Sequence, residues 1–366
     1  MTDQTAMTLN YAHLVERWDL LHAKGEAGKP EGIDWLHDAL AAAIKLEFST
    51  IPPYFCALWS IKDQGSSVAN AIRQVVQEEM LHMALACNML VAIGGTPRIA
   101  DPDFAPVYPG HLAGGVHDDL VVSLSGLTDD VVRGFMVIEL PERTMQDETE
   151  RLKKASQIPS NSRGHETIGQ FYDRMEQAFR WLDPPLLHDR QISGPLSWFP
   201  VHTLAEVHEA IALIKHQGEG SDAAPLEYSL GMSDKPELAH FYRFLEIHAR
   251  QRVYFDEDAG MWDLHGDLPW PETYPMAPVP TGGYPTPETE ISEEVAGLLN
   301  TFDENYSRLL CQLEGLWASG DQGHLIHAIE TMFSLQGPAR ALMQIPIPGT
   351  SGQTYGPCFR YLKETT

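Results

Sequence analysis

VVQEEMLHMALACNML, Val75 to Leu90, places Glu79 and His82 inside a stretch whose other residues read as one apolar helix. Residues three, four or seven apart share a helix face. Ile72, Val75, Val76, Met83, Ala86 and Leu90 form a stripe, and Glu79 and His82 fall on it. An interior carboxylate costs several kcal/mol unless a cation or a proton compensates it. Glu-x-x-His is the spacing by which one helix offers an oxygen and a nitrogen to the same metal. By itself the pattern is common, and an ordinary polar pair satisfied by its neighbours is the rival reading.

Working outward, the segment is the second arm of a hairpin. It ends at Gly94-Gly95-Thr96-Pro97, a strong stop signal. The spacing predicts a helix over about 68–93 and another over about 34–62, joined at DQGSS. In the first arm Glu47 is in step with Leu36, Leu40, Ala43 and Ile44. Its distance from the turn matches that of Glu79, so antiparallel packing sets the two carboxylates at similar height. Pro52-Pro53 removes two backbone donors from this arm and predicts a kink.

Two more helices are predicted over about 203–219 and 235–253. The second contains another Glu-x-x-His, Glu237 to His240. His240 is in phase with Phe244 and His248. Glu237 has a rival role, because Asp234-x-x-Glu237 resembles a capping box. Glu219, in HQGEGS, is the best choice for a fourth-helix carboxylate, with a solvated helix end as its alternative. Glu139 and Glu142, in FMVIELPE, are unexpected in so apolar a context. A further ligand and a carboxylate paired with an Arg are both open readings for Glu139. Tyr54 and Tyr242 read as core residues or as hydrogen-bonding groups near the site.

Glu47, Glu79, His82, Glu219, Glu237 and His240 together match a dinuclear carboxylate plan: one Glu from each of two helices and Glu-x-x-His from each of the others. Carboxylate and imidazole without thiolate suit iron, with manganese or zinc as alternatives. The expected architecture is mainly α: a four-helix bundle, an inserted segment over about 97–200 poor in both helix and strand, and a C-terminal wrap with helices over about 256–366. One plausible strand falls at Leu120–Leu124, and residues 256–290 read as a long ordered loop.

Composition narrows the rest. The chain has 366 residues, 43% hydrophobic, which suffices for one sizeable core. Its net charge is −26, with 25 Lys plus Arg against 51 Asp plus Glu, and no basic cluster reverses it. Nucleic acid and anionic membrane surfaces are therefore poor partners. Four scattered cysteines suggest neither a disulfide framework nor a thiolate metal site. No leader or membrane-spanning run is evident, so a soluble cytoplasmic protein is expected. Its expected partners are a small molecule and O2, with homo-oligomers open.

LEFSTIPPYFCALWSIK, VVQEEMLHMALACNMLVAIGGTP, FMVIELPE, TIGQFYDRM, HQGEGS, ELAHFYRF, MFSLQGPARALMQIPIP and GPCFRY occur in this order across most of residues 34–360. They resemble the ferritin-like domain of the iminophenyl-pyruvate dimer synthase type. That resemblance implies a metal-containing ferritin-like four-helix bundle, with Glu47, Glu79, His82 and His240 carried over most directly, then Glu219, then Glu237. It also implies kinship with enzymes that oxidatively couple imines of aromatic 2-oxo acids. The expected function is thus a non-haem iron oxidoreductase of secondary metabolism, mono- or di-iron, using O2 or peroxide. The alternatives are an iron-sequestering bundle without organic substrate and a metal-free bundle that binds a partner.

Overall fold

Pro30 and Ser66 start the two longest elements of the bundle. The computed structural model describes residues 11–113, 120–141, 149–157, 168–194, 198–219, 226–227, 237–287 and 289–363. After α1 (Tyr11–Ala23) and a short 3-10 turn, α2 spans Lys29–Ser60. It begins five residues before the predicted Asp34. Pro30 suits a first helical turn, where no donor is needed. Gly32 lies so close to α6 that a Cβ would sit 2.6 Å from Leu182 Cδ2. Ser66 caps α3 (Ser67–Ala92) by accepting from the Ala69 amide.

Pro52 and Pro53 lie within α2, and the helix runs through them to Ser60. Pro53 has no N–H for the Ser49 carbonyl, and the Tyr108 hydroxyl donates to that carbonyl instead at 2.7 Å. α2 and α3 pack along each other as an antiparallel pair. Both are buried almost all round, which explains why their sequences are so apolar on more than one face.

Beyond α3 come a short hairpin, β1 (Gly110–His111) with β2 (Val121–Val122), then α4 (Asp129–Ile138), α5 (Glu150–Ala155) and α6 (Ile168–Leu182). α7 covers Leu204–Glu219 as expected. The fourth predicted helix is shorter than the 235–253 expectation. Glu237-Leu238 form β4, paired antiparallel with β3 (Leu226–Glu227), and α8 begins only at His240. It ends at Ala249, with Arg250 in the left-handed region at φ 60°. Arg252–Asp256 (β5) and Met261–His265 (β6) then pair as a hairpin turning at Gly260, φ 65°. The Val, Tyr and Phe of RVYF favour strand over a continued helix.

α9 (Glu293–Ser319) and α10 (Gly323–Leu342) form a second long antiparallel pair. The predicted insertion is more than an excursion. α8 packs mainly on α4, and α7 mainly on α6, so helices from 129–182 close the space beside α2 and α3. No helix among the described residues is long and apolar enough to cross a membrane.

Candidate metal centre

Five titratable side chains meet inside the bundle, each from a different position in the fold. Glu47 comes from the middle of α2, and Glu79 and His82 from successive turns of α3. Glu139 is the residue that ends α4, and His240 is the first of α8. All are at most 4% exposed, a setting where unpaired carboxylates are not tolerated.

They form two trios that share one member. Glu47, Glu79 and His82 make the first, and Glu79, Glu139 and His240 the second; within each, one ligand atom per residue lies within 4.8 Å of the others. Glu79 Oε1 stands between the two imidazoles, 2.9 Å from His240 Nδ1 and 3.9 Å from His82 Nδ1. Glu47 Oε2 is 3.5 Å from His82 Nδ1, and Glu139 Oε2 is 3.5 Å from His240 Nδ1. The rings themselves stack at 5.4 Å.

Each of these groups is held from behind. On every carboxylate the other oxygen accepts from a hydroxyl at 2.6 Å: Tyr172 on Glu47, Thr50 on Glu79, Tyr54 on Glu139. The far nitrogen of each ring meets an acceptor, Gln217 Oε1 at 2.8 Å for His82 and Glu78 Oε2 at 2.9 Å for His240. Arg243 fixes Glu78 in turn through both guanidinium nitrogens, at 2.8 and 3.2 Å. Anchoring the Nε2 proton outward leaves Nδ1 of each imidazole as the lone-pair atom facing the centre.

This arrangement fits a metal and fits poorly without one. His240 Nδ1 is fully buried and makes no hydrogen bond, although two carboxylate oxygens lie within 3.5 Å. A lone pair aimed at carboxylates is repulsive unless a cation lies between them. With no metal, protons must take that place. Burial disfavours a charged His240 most, yet Glu139, Glu78 and Glu79 outweigh it and raise its pKa well above the usual histidine value. His82 is raised too, as Glu47 and Glu79 overcome its burial. Burial, with Glu139 and Glu47 adding to it against the pull of His240, pushes Glu79 up to about 7. Burial and the nearby carboxylates keep the Tyr54 and Tyr172 phenols protonated far above their ordinary range.

Four of the six residues singled out in the sequence are brought together: Glu47, Glu79, His82 and His240. Glu237 stands apart. It precedes α8 in β4, so no helical face joins it to His240, and it pairs with Arg243 at 3.3 Å. Its place is behind Glu78, a prop for the residue that orients His240. Glu219 ends α7, and its side chain, like Glu142, lies outside the described residues. Glu139 occupies the place expected of another carboxylate. Among the described residues its neighbours are Tyr54 and His240 rather than an Arg. His248 pairs with Asp129 at 3.1 Å at the far end of α8. Tyr242 is buried beside Phe241. Sequence periodicity missed Tyr172, Thr50, Gln217, Glu78 and Arg243, although Tyr172 lies within TIGQFYDRM.

The space between the ligands is a chamber of about 20 Å³, bounded toward α6 and α7 by Ile168, Gly169, Ile214, Lys215 and Gly218. A much larger apolar cavity, about 390 Å³, lies against another face of α2 and α3, between them and the α9–α10 pair. The large cavity and the ligand cluster are thus separate.

Comparisons with known proteins bear on the family and the fold. A family described as Ferritin-like matches residues 40–249, which contain every residue of the cluster. Dichlorochromopyrrolate synthase of Lentzea aerocolonigenes is 24% identical over 324 residues, covering 80% of this chain and 30% of that protein. The chain therefore spans less than a third of the curated relative it matches. A crystal structure of a ferritin-like protein from Caulobacter vibrioides superposes with a TM-score of 0.58 at 22% identity, covering 88% of this chain and 97% of the other. That likeness concerns the fold.

Proposed function

The chain belongs to the ferritin-like family, and on that premise we propose that it is a non-haem iron oxidoreductase using O2 or peroxide on a small organic substrate. Two irons would be held, one by Glu47 and His82, the other by Glu139 and His240, with Glu79 shared. The sharing of Glu79 by two buried trios carries the reading. Carboxylate and imidazole donors without thiolate favour iron or manganese over softer metals. Glu219, one residue beyond the Gly218 that approaches Glu139 Oε2, is the proposed further carboxylate.

Bound iron supplies the redox chemistry that activates the oxidant. The chain's own groups do the rest. Tyr172, Thr50 and Tyr54 donate to the outer carboxylate oxygens and keep the inner ones turned to the centre. Gln217 and Glu78 fix the imidazole tautomers. The small volume of the chamber leaves room for little water beside the ligands. An organic substrate would approach past Gly169 and Gly218, where Lys215, the cation of that wall and an ion-pair partner of Asp173, suits a carboxylate on the substrate. An aromatic imine or 2-oxo acid of secondary metabolism is the proposed class, supported by the likeness to dichlorochromopyrrolate synthase.

One observation favours a second reading, an iron-binding bundle with no organic substrate. The chamber of about 20 Å³ has room for metal and small oxidants, not for an organic molecule. Anaerobic loading with iron(II), followed by O2 uptake with and without phenylpyruvate imine, separates the two. Substrate-dependent uptake with a coupled or oxidised product supports the oxidoreductase. Uptake that tracks iron alone supports the alternative, and absence of stoichiometric iron contradicts both.

A further inference from the structure

The cavity between α2–α3 and α9–α10 has its own chemistry, independent of the metal reading. Its volume, about 390 Å³, lies in the range of small-molecule sites. Phe48, Phe55 and Met80 wall it from the bundle, and Leu313, Trp317 and Phe333 from the hairpin. Two polar features accompany this lining. The Tyr306 hydroxyl and the Trp198 indole N–H are both buried among the wall residues without a hydrogen-bond partner among the described residues. Both atoms are withdrawn from the cavity surface as well as from bulk water, so they stand behind the apolar lining and leave its face without a donor of their own.

The second feature is charge. In a chain with 51 Asp and Glu, no carboxylate among the described residues lines this cavity; Arg73 is the charged residue that does. Its guanidinium bonds neutral partners, Asn70 Oδ1 at 2.6 Å and the Gln64 carbonyl at 2.8 Å, and no ion pair involves it among the described residues. Gln64 and Gln336, 3.5 Å apart, share this end of the cavity. The cavity thus has an apolar body and one cation without a counter-ion among the described residues.

We propose that this cavity binds an apolar organic acid: an aromatic or acyl body in the chamber, with its anionic head on Arg73. A planar aromatic acid and a fatty acid share that chemistry, and the test distinguishes them. Full-length protein is titrated with 1-pyrenebutyrate and, separately, dodecanoate, each against its neutral alcohol counterpart, with bound ligand read by fluorescence and calorimetry. The expected result is one acid per chain. Arg73→Gln should weaken the acid by about tenfold or more while leaving the alcohol nearly unchanged. Met332→Trp, which fills the cavity from α10, should abolish binding of both with metal content and circular dichroism unchanged. Tighter binding of pyrenebutyrate identifies the aromatic class, and tighter binding of dodecanoate the acyl class. Failure of both acids to bind overturns the proposal. Equal loss of acid and alcohol in Arg73→Gln overturns it as well. So does a dimer that Met332→Trp dissociates, since a second copy would then be the occupant.

Discussion

On one side of the α2–α3 pair lies a chamber of about 20 Å³ lined by Glu47, Glu79, His82 and Glu139 and closed by aliphatic residues and glycines; against another face lies one of about 390 Å³ walled by aromatic and aliphatic side chains. Sequence neighbours divide between them: Glu47 from Phe48, Glu79 from Met80, His82 from Met83. The first chamber is nearly filled, and each of the ligand groups beside it has a partner behind it. The second is hollow, and two polar atoms behind its lining have none among the described residues. The first is organised to hold charge at fixed positions, the second to admit a body of adaptable shape.

Removing the shared ligand breaks this contrast most completely. Glu79→Ala takes one donor from both trios, and bound metal should fall from two per chain to background in elemental analysis. Metal retained at wild-type stoichiometry would show that Glu79 is not shared. A smaller effect is expected one layer out. Tyr172→Phe and Tyr54→Phe should keep the stoichiometry but weaken metal binding roughly 10- to 100-fold, the usual cost of losing an outer partner. Unchanged dissociation constants would mean that the phenols only pack.

The pH dependence of the metal-free protein follows from the same charges. Glu79, His82 and His240 all have folded pKa values raised above their unfolded ones. The stability they contribute is fully present below the unfolded values and is lost as pH rises through the folded values, near 7 for Glu79. Glu78 is shifted the other way, as Arg243 and His240 overcome its burial. Its contribution is therefore lost only in acid, below this window. In chelator, the melting temperature should fall as pH rises from about 4.5 through 7, where Glu79 loses its contribution, and further above 6.5 as the histidines do, by roughly 2 °C for each kcal/mol lost. Added metal should restore most at the higher pH. A flat or rising profile in chelator would break the argument that protons replace the cation.

On the hollow side, Leu313→Ala enlarges space that already exists. Its cost should lie at or below the lower end of the ~2–5 kcal/mol range for such truncations, with metal content unchanged, as read by denaturant melts beside elemental analysis. Metal loss would show that the chambers are coupled. The smallest effect is expected for Glu237→Gln, which removes one of the carboxylates that hold Arg243 among the described residues and should alter metal affinity no more than a few-fold. A loss as large as that of Glu79→Ala would return Glu237 to the ligand set.

Sequence pattern made the polar chamber legible and left the hollow one invisible, for physical reasons. A carboxylate on an apolar stripe is anomalous wherever it occurs, so Glu47, Glu79 and His82 stood out before any fold was known. Glu139 stood out too, but its role depends on where α4 stops, and chain spacing does not fix which helix end meets which ligand. Glu237 misled because Glu-x-x-His is meaningful only on a continuous helix, and here the β3–β4 pairing ends just before His240. The hydroxyls behind the carboxylates carry no periodic signal, since Tyr and Thr are ordinary core residues. A cavity is a gap between elements, set by how α9–α10 rests on α2–α3, and no local pattern encodes it.

The central claim, that Glu79 joins two metal positions, is tested most directly by anomalous diffraction from crystals grown anaerobically with manganese(II) or iron(II). Two anomalous peaks are predicted, one between Glu79, Glu47 and His82 and the other between Glu79, Glu139 and His240. No peak at either trio, or a peak at Glu237 instead, would contradict the account.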